Sequence, residues 1–232
     1  MSSSGLAPES SAAAPLVADF TEALLSGDDS APGAFVRSLL RNGVTPATLL
    51  EDVFTPAARE LGQRWVTDDC SFYEVTIGTG HIQRLVRAIS PLFLANSAMH
   101  GSMGRMLLTC APGEQHSLGT MIIAEYFIRD GWDVHLMTTY GADILLDMVR
   151  QADYHCLGVS VSCDQYVSGL RKDIRRVRQV SRNPDIKVLV GGHLFGTNHP
   201  TLHSLGADGS ATDADSAVAE ARRLRGLSRV IG

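Results

Sequence analysis

No stretch of this 232-residue sequence is apolar for long enough to cross a bilayer. Its Ser/Ala-rich start has neither the basic residues nor the apolar core of a secretory signal, so a soluble cytoplasmic protein is expected. Cysteine is sparse: Cys70, Cys110, Cys156 and Cys163 form no Cys-x-x-Cys pair. Three of the four fall on or beside segments that read as buried strands, which points to small apolar core residues rather than a disulfide framework or a zinc site. Positive charge is not in excess either. With 20 Lys and Arg against 25 Asp and Glu the net charge is −5, unlike a chain that grips nucleic-acid phosphates. The one basic cluster, Arg171-Lys172 with Arg175, Arg176 and Arg178, has the spacing of a solvated helix face. There is no internal repeat and no helix-turn-helix candidate, so neither direct nucleic-acid binding nor a membrane partner is expected.

The 44% hydrophobic content is enough for a real core, and the length allows two compact domains. Residues 1–14 are Ser, Ala, Gly and Pro with almost no apolar periodicity and are expected to be disordered. Residues 15–96 read as four helices: one from Leu16 to Gly27, one after Pro32-Gly33, one starting at the cap pair Thr45-Pro46 and kinked or restarted at Pro56, and one over about 71–94. The last of these is expected to bend where Gly78, Thr79 and Gly80 cluster. A Gly/Ser/Asn-rich linker over 97–104 then leads into residues 105–232, where strand and helix patterns alternate. Strands are expected at 105–110, 133–138, 156–161, 186–190 and 207–210. Helices are expected at 117–130, 142–151, 166–182, 214–225 and, briefly, near 198–204. The fold class is therefore α/β: a helical bundle followed by a doubly wound, flavodoxin- or Rossmann-like sheet of five parallel strands.

Within that sheet, Met106-Leu107-Leu108-Thr109-Cys110 reads as a buried strand and Ser117 opens the next helix. Glu114-Gln115-His116 therefore lies on a loop at the carboxyl end of a strand, where open α/β sheets bind ligands. A histidine there can offer one ring nitrogen to a metal while the other donates to a carboxylate, and Glu114 is the natural partner. Gly119 and the pair Gly191-Gly192 lack a Cβ, so a bulky ligand can come close to the backbone.

Glu114-x-His116-x-x-Gly119, then Ser160-Val161-Ser162, then Gly191-Gly192 resembles the cobalamin-binding domain of corrinoid proteins. That family's signature is Asp-x-His-x-x-Gly, Ser-x-Leu and Gly-Gly at matching distances. Gly206-Ala207-Asp208-Gly209 followed by Asp213-Ala214 resembles its last strand and turn, so the resemblance spans about 105–223. It implies His116 as the lower axial ligand of cobalt and Glu114 as the partner that orients it. It further implies Ser160, Ser162, Gly191 and Gly192 along the channel for the nucleotide tail, with Gln115, Ser117, Leu118, Gly119, His193 and Gly209 as further cofactor contacts. Two positions depart from the pattern. Glu114 stands where Asp is usual, which adds a methylene, and Ser162 stands where Leu is usual, which changes the polarity of the channel wall.

A tryptophan in a small bundle serves readily as a core anchor. However, Leu61-Gly62-Gln63-Arg64-Trp65 with Phe72 and Glu74 resembles the cap of cobalamin photoreceptors, where the tryptophan packs on the upper cobalt ligand. Trp65-Val66-Thr67-Asp68, Phe72, Val75-Thr76-Ile77-Gly78 and Arg84-Leu85 resemble more closely the short antirepressors of the AerR/PpaA type. Those proteins respond to light and act on a partner repressor of the PpsR/CrtJ type. That resemblance implies a light-responsive transcriptional regulator loaded with hydroxo-, methyl- or adenosylcobalamin, and not an enzyme. Val66 and Thr76 stand where the DNA-binding photoreceptors carry histidines, which leaves water or hydroxide as an upper ligand. His81 reads as a satisfied helix residue, and the pair His199 and His203 lacks a third metal ligand.

A rival reading is a corrinoid methyl carrier serving separate methyltransferases, which has the same layout but needs an open upper face. A mutase small subunit is disfavoured by the bundle. A flavodoxin-like domain with a structural His116 leaves the spaced signals unexplained.

Overall fold

The computed structural model describes residues 10–95, 103–114, 117–162, 164–192 and 205–226. The chain forms two compact units, Met1–Ala95 and Asn96–Gly232.

The first unit is helical. Helix α1 (Ser10–Leu25) is followed by α2 (Ala31–Arg41), then α3 (Pro46–Thr48), a π-helical turn (Leu49–Phe54), α4 (Thr55–Val66) and α5 (Phe72–Leu94). Helix α1 starts inside the 1–14 segment expected to be disordered. Alanine is the best helix former, so the Ala-rich residues continue the helix outward from its packed part. Residues 1–9 lie outside the described residues. At Thr45 the expected cap is made: Oγ1 accepts from the Thr48 N–H at 3.1 Å and Pro46 takes the first helical position. Pro56 has no N–H to give, and the strain appears as the π-turn just before it, where the Thr55 N–H reaches back five residues to the Leu50 carbonyl. Phe20, Leu49, Leu50, Phe54, Leu61 and Ile82 are buried in this unit, with the Phe20 and Phe54 rings stacked 5.3 Å apart. Helix α5 runs unbroken through Gly78, whose missing Cβ admits the Leu61 side chain. A methyl there would stand 2.9 Å from Leu61 Cδ1.

The second unit alternates strand and helix: β1 (Gly104–Cys110), α6 (Ser117–Arg129), β2 (Trp132–Met137), α7 (Ala142–Gln151), β3 (Cys156–Ser160), a 3₁₀ turn (Asp164–Tyr166), α8 (Val167–Val180), β4 (Lys187–Gly191), β5 (Gly209–Ala211) and α9 (Ala214–Leu224). The strands form one parallel sheet in the order β2-β1-β3-β4-β5. Strand side chains alternate between two cores, which is the double winding. Leu107, Leu157, Val159, Val188 and Val190 meet Leu145 and Val149 of α7 and Ile174 and Val177 of α8. Met106, Leu108, Cys156 and Leu189 meet Ala124 and Phe127 of α6 and Ala217 and Ala221 of α9 on the other face.

Strand β5 begins two residues later than expected because the Asp208 carboxylate takes the ladder's place, accepting from the Val188 N–H at 2.6 Å and from Arg178 at 2.8 Å. The short helix expected near 198–204 lies outside the described residues. Cys70, Cys110 and Cys156 are buried free thiols, and burial pushes the Cys156 thiol up to about 12. Cys163 lies outside the described residues. On α8, Arg171, Lys172 and Arg175 are exposed, whereas Arg178 is bonded to Asp208 and to the Gly206 and Ile186 carbonyls. No described helix is long and apolar enough to cross a membrane.

Candidate cobalamin site

The carboxyl ends of four strands are stitched by single backbone bonds just past the regular ladder. Ala111 N–H donates to the Ser160 carbonyl at 2.8 Å, Val161 N–H to Gly191 at 2.8 Å, and Gly192 N–H to Ala211 at 3.3 Å. The result is a level shelf of backbone running from β1 through β3 and β4 to β5, with Ser160, Gly191 and Ala211 in register along it. Gly192 is what permits the shelf. Its φ of +134° suits glycine, and a Cβ would overlap the Val161 carbonyl oxygen. At Gly191 a Cβ would come within 3.4 Å of the Ala211 carbonyl oxygen. By contrast, a Cβ on Gly119, exposed in the first turn of α6, would meet nothing within 4 Å among the described residues.

Glu114 follows a tight turn, its N–H donating to the Ala111 carbonyl at 3.0 Å, and is only 6% exposed. Its Oε2 accepts from the Ser162 backbone N–H at 3.1 Å and also from Ser162 Oγ. Ser162 thus turns its hydroxyl to the carboxylate. The Tyr166 ring lies over the same loop, 3.2 Å from where a Cβ on Gly113 would stand. Ser117 and Leu118 open α6, and Leu118 is buried. Gly209 is placed two residues before the shelf, at the amino end of β5, where a Cβ would strike the Glu220 carboxylate. Gln115, His116 and His193 lie outside the described residues, as do His199 and His203.

In the helical unit, Trp65 and Phe72 sit with ring centroids 6.1 Å apart, and both are largely exposed, at 50% and 69%. Val66 and Tyr73 extend the apolar surface. Glu74 serves a helix cap. Its carboxylate accepts from the Ser71 N–H at 2.7 Å and from Ser71 Oγ at 2.6 Å, while the Glu74 N–H donates to Ser71 Oγ at 3.2 Å. These bonds hold the Glu74 carboxyl below its ordinary range. The cap's contribution is therefore present above the ordinary glutamate range and lost as pH falls through the lowered value. The Ser71-x-x-Glu74 spacing was a readable signal for it. Ser71→Ala is expected to cost about 1 kcal/mol and to return Glu74 to the ordinary range, as NMR titration and thermal melts would measure. His81 is buried and occupied at both ring nitrogens, Nδ1 by Arg84 at 2.8 Å and Nε2 by Asp29 at 3.3 Å. Among the described residues no three His, Cys, Asp or Glu side chains cluster to hold a metal.

A parallel sheet whose carboxyl edge is floored by backbone and glycine, with one buried carboxylate beside it, is suited to a large planar cofactor. The B12 binding domain family matches residues 104–221, and a second B12 binding domain family matches residues 16–90. The chain belongs to the B12 binding domain family, and its cofactor is cobalamin. It is 27% identical over 164 residues, 71% of this chain and 85% of the relative, to an uncharacterized 20.5 kDa protein in the bchF-crtJ intergenic region of Rhodobacter capsulatus. It is 20% identical over 211 residues, 89% of this chain and 95% of the relative, to the trimethylamine corrinoid protein of Methanosarcina barkeri. The solved monomethylamine corrinoid protein of Methanosarcina barkeri shares the fold, with a TM-score of 0.73 at 13% identity over 92% of this chain and 100% of that one.

Proposed function

We propose that this protein is a cobalamin-dependent, light-responsive regulator that acts on a partner repressor protein rather than on DNA itself. The observation that carries the reading is the exposed aromatic pair Trp65 and Phe72, on the helical unit that precedes the cobalamin domain. A methyl carrier needs its upper cobalt face open to donor and acceptor proteins, whereas the resemblance to cobalamin photoreceptors implies a tryptophan that packs on the upper ligand. The similarity to a protein encoded between bchF and crtJ supports the AerR/PpaA resemblance and a repressor partner of the PpsR/CrtJ type.

In this reading His116 would hold the cobalt, oriented by Glu114. Ser160, Ser162, Gly191 and Gly192 border the nucleotide tail, with Gln115, Ser117, Leu118, Gly119, His193 and Gly209 as further contacts. Bound cobalamin supplies a cobalt centre whose upper ligand can be lost or exchanged on illumination. Trp65 and Phe72 would repack in response, exposing or hiding the partner surface. A ligand shifts such an equilibrium only by its differential affinity for the two arrangements, so the aromatic pair must pack differently in each.

A corrinoid methyl carrier is the second reading, favoured by the similarity to the trimethylamine corrinoid protein. Visible absorption of the protein mixed with hydroxo-, methyl- and adenosylcobalamin, in the dark and after illumination, separates the two. The regulator is expected to give a histidine-ligated spectrum that changes with light and stays protein-bound, and to bind a PpsR/CrtJ-type repressor differently in the two states. Light-insensitive binding with ready reduction to Co(I) would favour the carrier.

A further inference from the structure

We propose that the outer face of α8 is the surface that receives the partner protein, and that it takes an acidic one. The proposal rests on the regulator reading above. Leu170, Ile174 and Val177 bury one side of α8 in the core, which turns Arg171, Lys172 and Arg175 outward. At 3.6 residues per turn these three side chains lie within about 100° of one another. The ion pairs of the helix are made by other residues, Arg176 with Asp143 and Asp173 at 3.7 Å and Arg178 with Asp208 at 2.8 Å. Arg171, Lys172 and Arg175 have no acidic partner among the described residues. The one acid on the helix cannot serve them, because Asp173 is buried and accepts from the Tyr140 hydroxyl at 2.5 Å.

A helix face that only meets water gains from mixed signs one turn apart. That is the pattern on α4, α7 and α9, where Arg64 pairs with Glu60, Arg150 with Asp147 and Arg223 with Glu220. Like charges at that spacing, as on Arg171 and Arg175, destabilise a helix, so an arriving counter-charge stabilises this face. Helix α8 carries five basic residues and one acidic, a net +4, whereas the whole chain carries −5, so everything outside α8 sums to −9. That remainder repels a long polyanion such as DNA, while a protein with a local cluster of carboxylates can meet the basic face alone. The start of α8 also backs the cofactor loop. A Cβ on Gly169 would stand 3.5 Å from Pro112, and the Tyr166 ring covers Gly113. Pro112 and Gly113 immediately precede Glu114, which gives a short packed path between the docking face and the cobalamin site.

The test measures association of the full-length, hydroxocobalamin-loaded protein with a PpsR/CrtJ-type repressor at several salt concentrations, before and after illumination. The double variant Arg171→Glu/Arg175→Glu is expected to slow association at low salt about tenfold or more and to flatten its salt dependence, with the cobalamin spectrum unchanged. Arg41→Glu/Arg87→Glu makes the same change in net charge at exposed positions of α2 and α5, and is expected to bind the repressor as the wild type does. Normal association of the α8 variant, or equal weakening in both variants, would overturn the docking face and leave the regulator reading standing. If the wild-type protein binds the repressor in neither state, that reading falls and the proposal with it. Binding of a duplex DNA probe that the α8 variant loses would make the face a nucleic-acid surface and overturn the proposal too.

Discussion

His116→Ala is expected to lower cobalamin affinity by more than about a hundredfold, because loss of a ligand should exceed the 10–100-fold cost of losing its supporting partner. What binding remains should show the spectrum of cobalamin carrying its own base. The reasoning begins with sequence position. His116 falls between a buried carboxylate anchored to β3 and Ser117, the first residue of α6. Imidazole is the one side chain in that loop able to ligate cobalt while handing its other nitrogen to Glu114. Thermal melts of the variant beside the wild type separate loss of ligation from loss of structure. A wild-type spectrum from this variant would refute the assignment.

The second large effect falls on the shelf. Gly192→Ala combines a backbone angle that L-residues rarely adopt with a Cβ placed on the Val161 carbonyl oxygen. Backbone cannot rotate aside as a side chain can, and Val161 is itself tied to Gly191. Strain and overpacking together should cost roughly 3–5 kcal/mol, visible as a lowered urea midpoint in the cofactor-free protein. Gly119→Ala gives the contrast. Among the described residues its Cβ meets nothing and alanine favours helix, so the apoprotein should be as stable as wild type or up to about 1 kcal/mol better, while cobalamin binding weakens. A Gly192→Ala protein that melts like wild type would show that the two strand ends are not held as closely as described.

The fold was readable because its two periods are unambiguous. Met106, Leu108 and their neighbour Leu107 alternate faces, and Thr45-Pro46 announces a helix start by chemistry alone. What escaped depended on side chains that act across distance. Asp208 shortened a strand by accepting the bond that the next backbone carbonyl would have taken, and no local pattern reports that. Gly78, read only as a place where its helix would bend, also seats Leu61, because the meaning of a glycine depends on what lies opposite. At the candidate site the glycine pair was legible as permitting close approach. The spacing did not reveal that Gly192 first accommodates Val161. The Ser162 contact was present in the sequence only as two departures 48 residues apart, and a contact between strand ends cannot be read until the strands are paired.

The π-turn before Pro56 also gears the helix. Leu49, Val53, Ala57 and Leu61 recur every four residues and are all buried to within 1%. On a regular helix of 3.6 residues per turn, each four-residue step overshoots by about 40°, so three steps would carry the last residue about a third of the way round. One wider turn takes up that overshoot and keeps the row in line. Regular winding resumes from Thr55 to Val66, and the next step in the row is Trp65, which has swung far enough out of line to be half exposed. The bearing of that ring is therefore set nine residues upstream, by a proline that never touches the row's outer end.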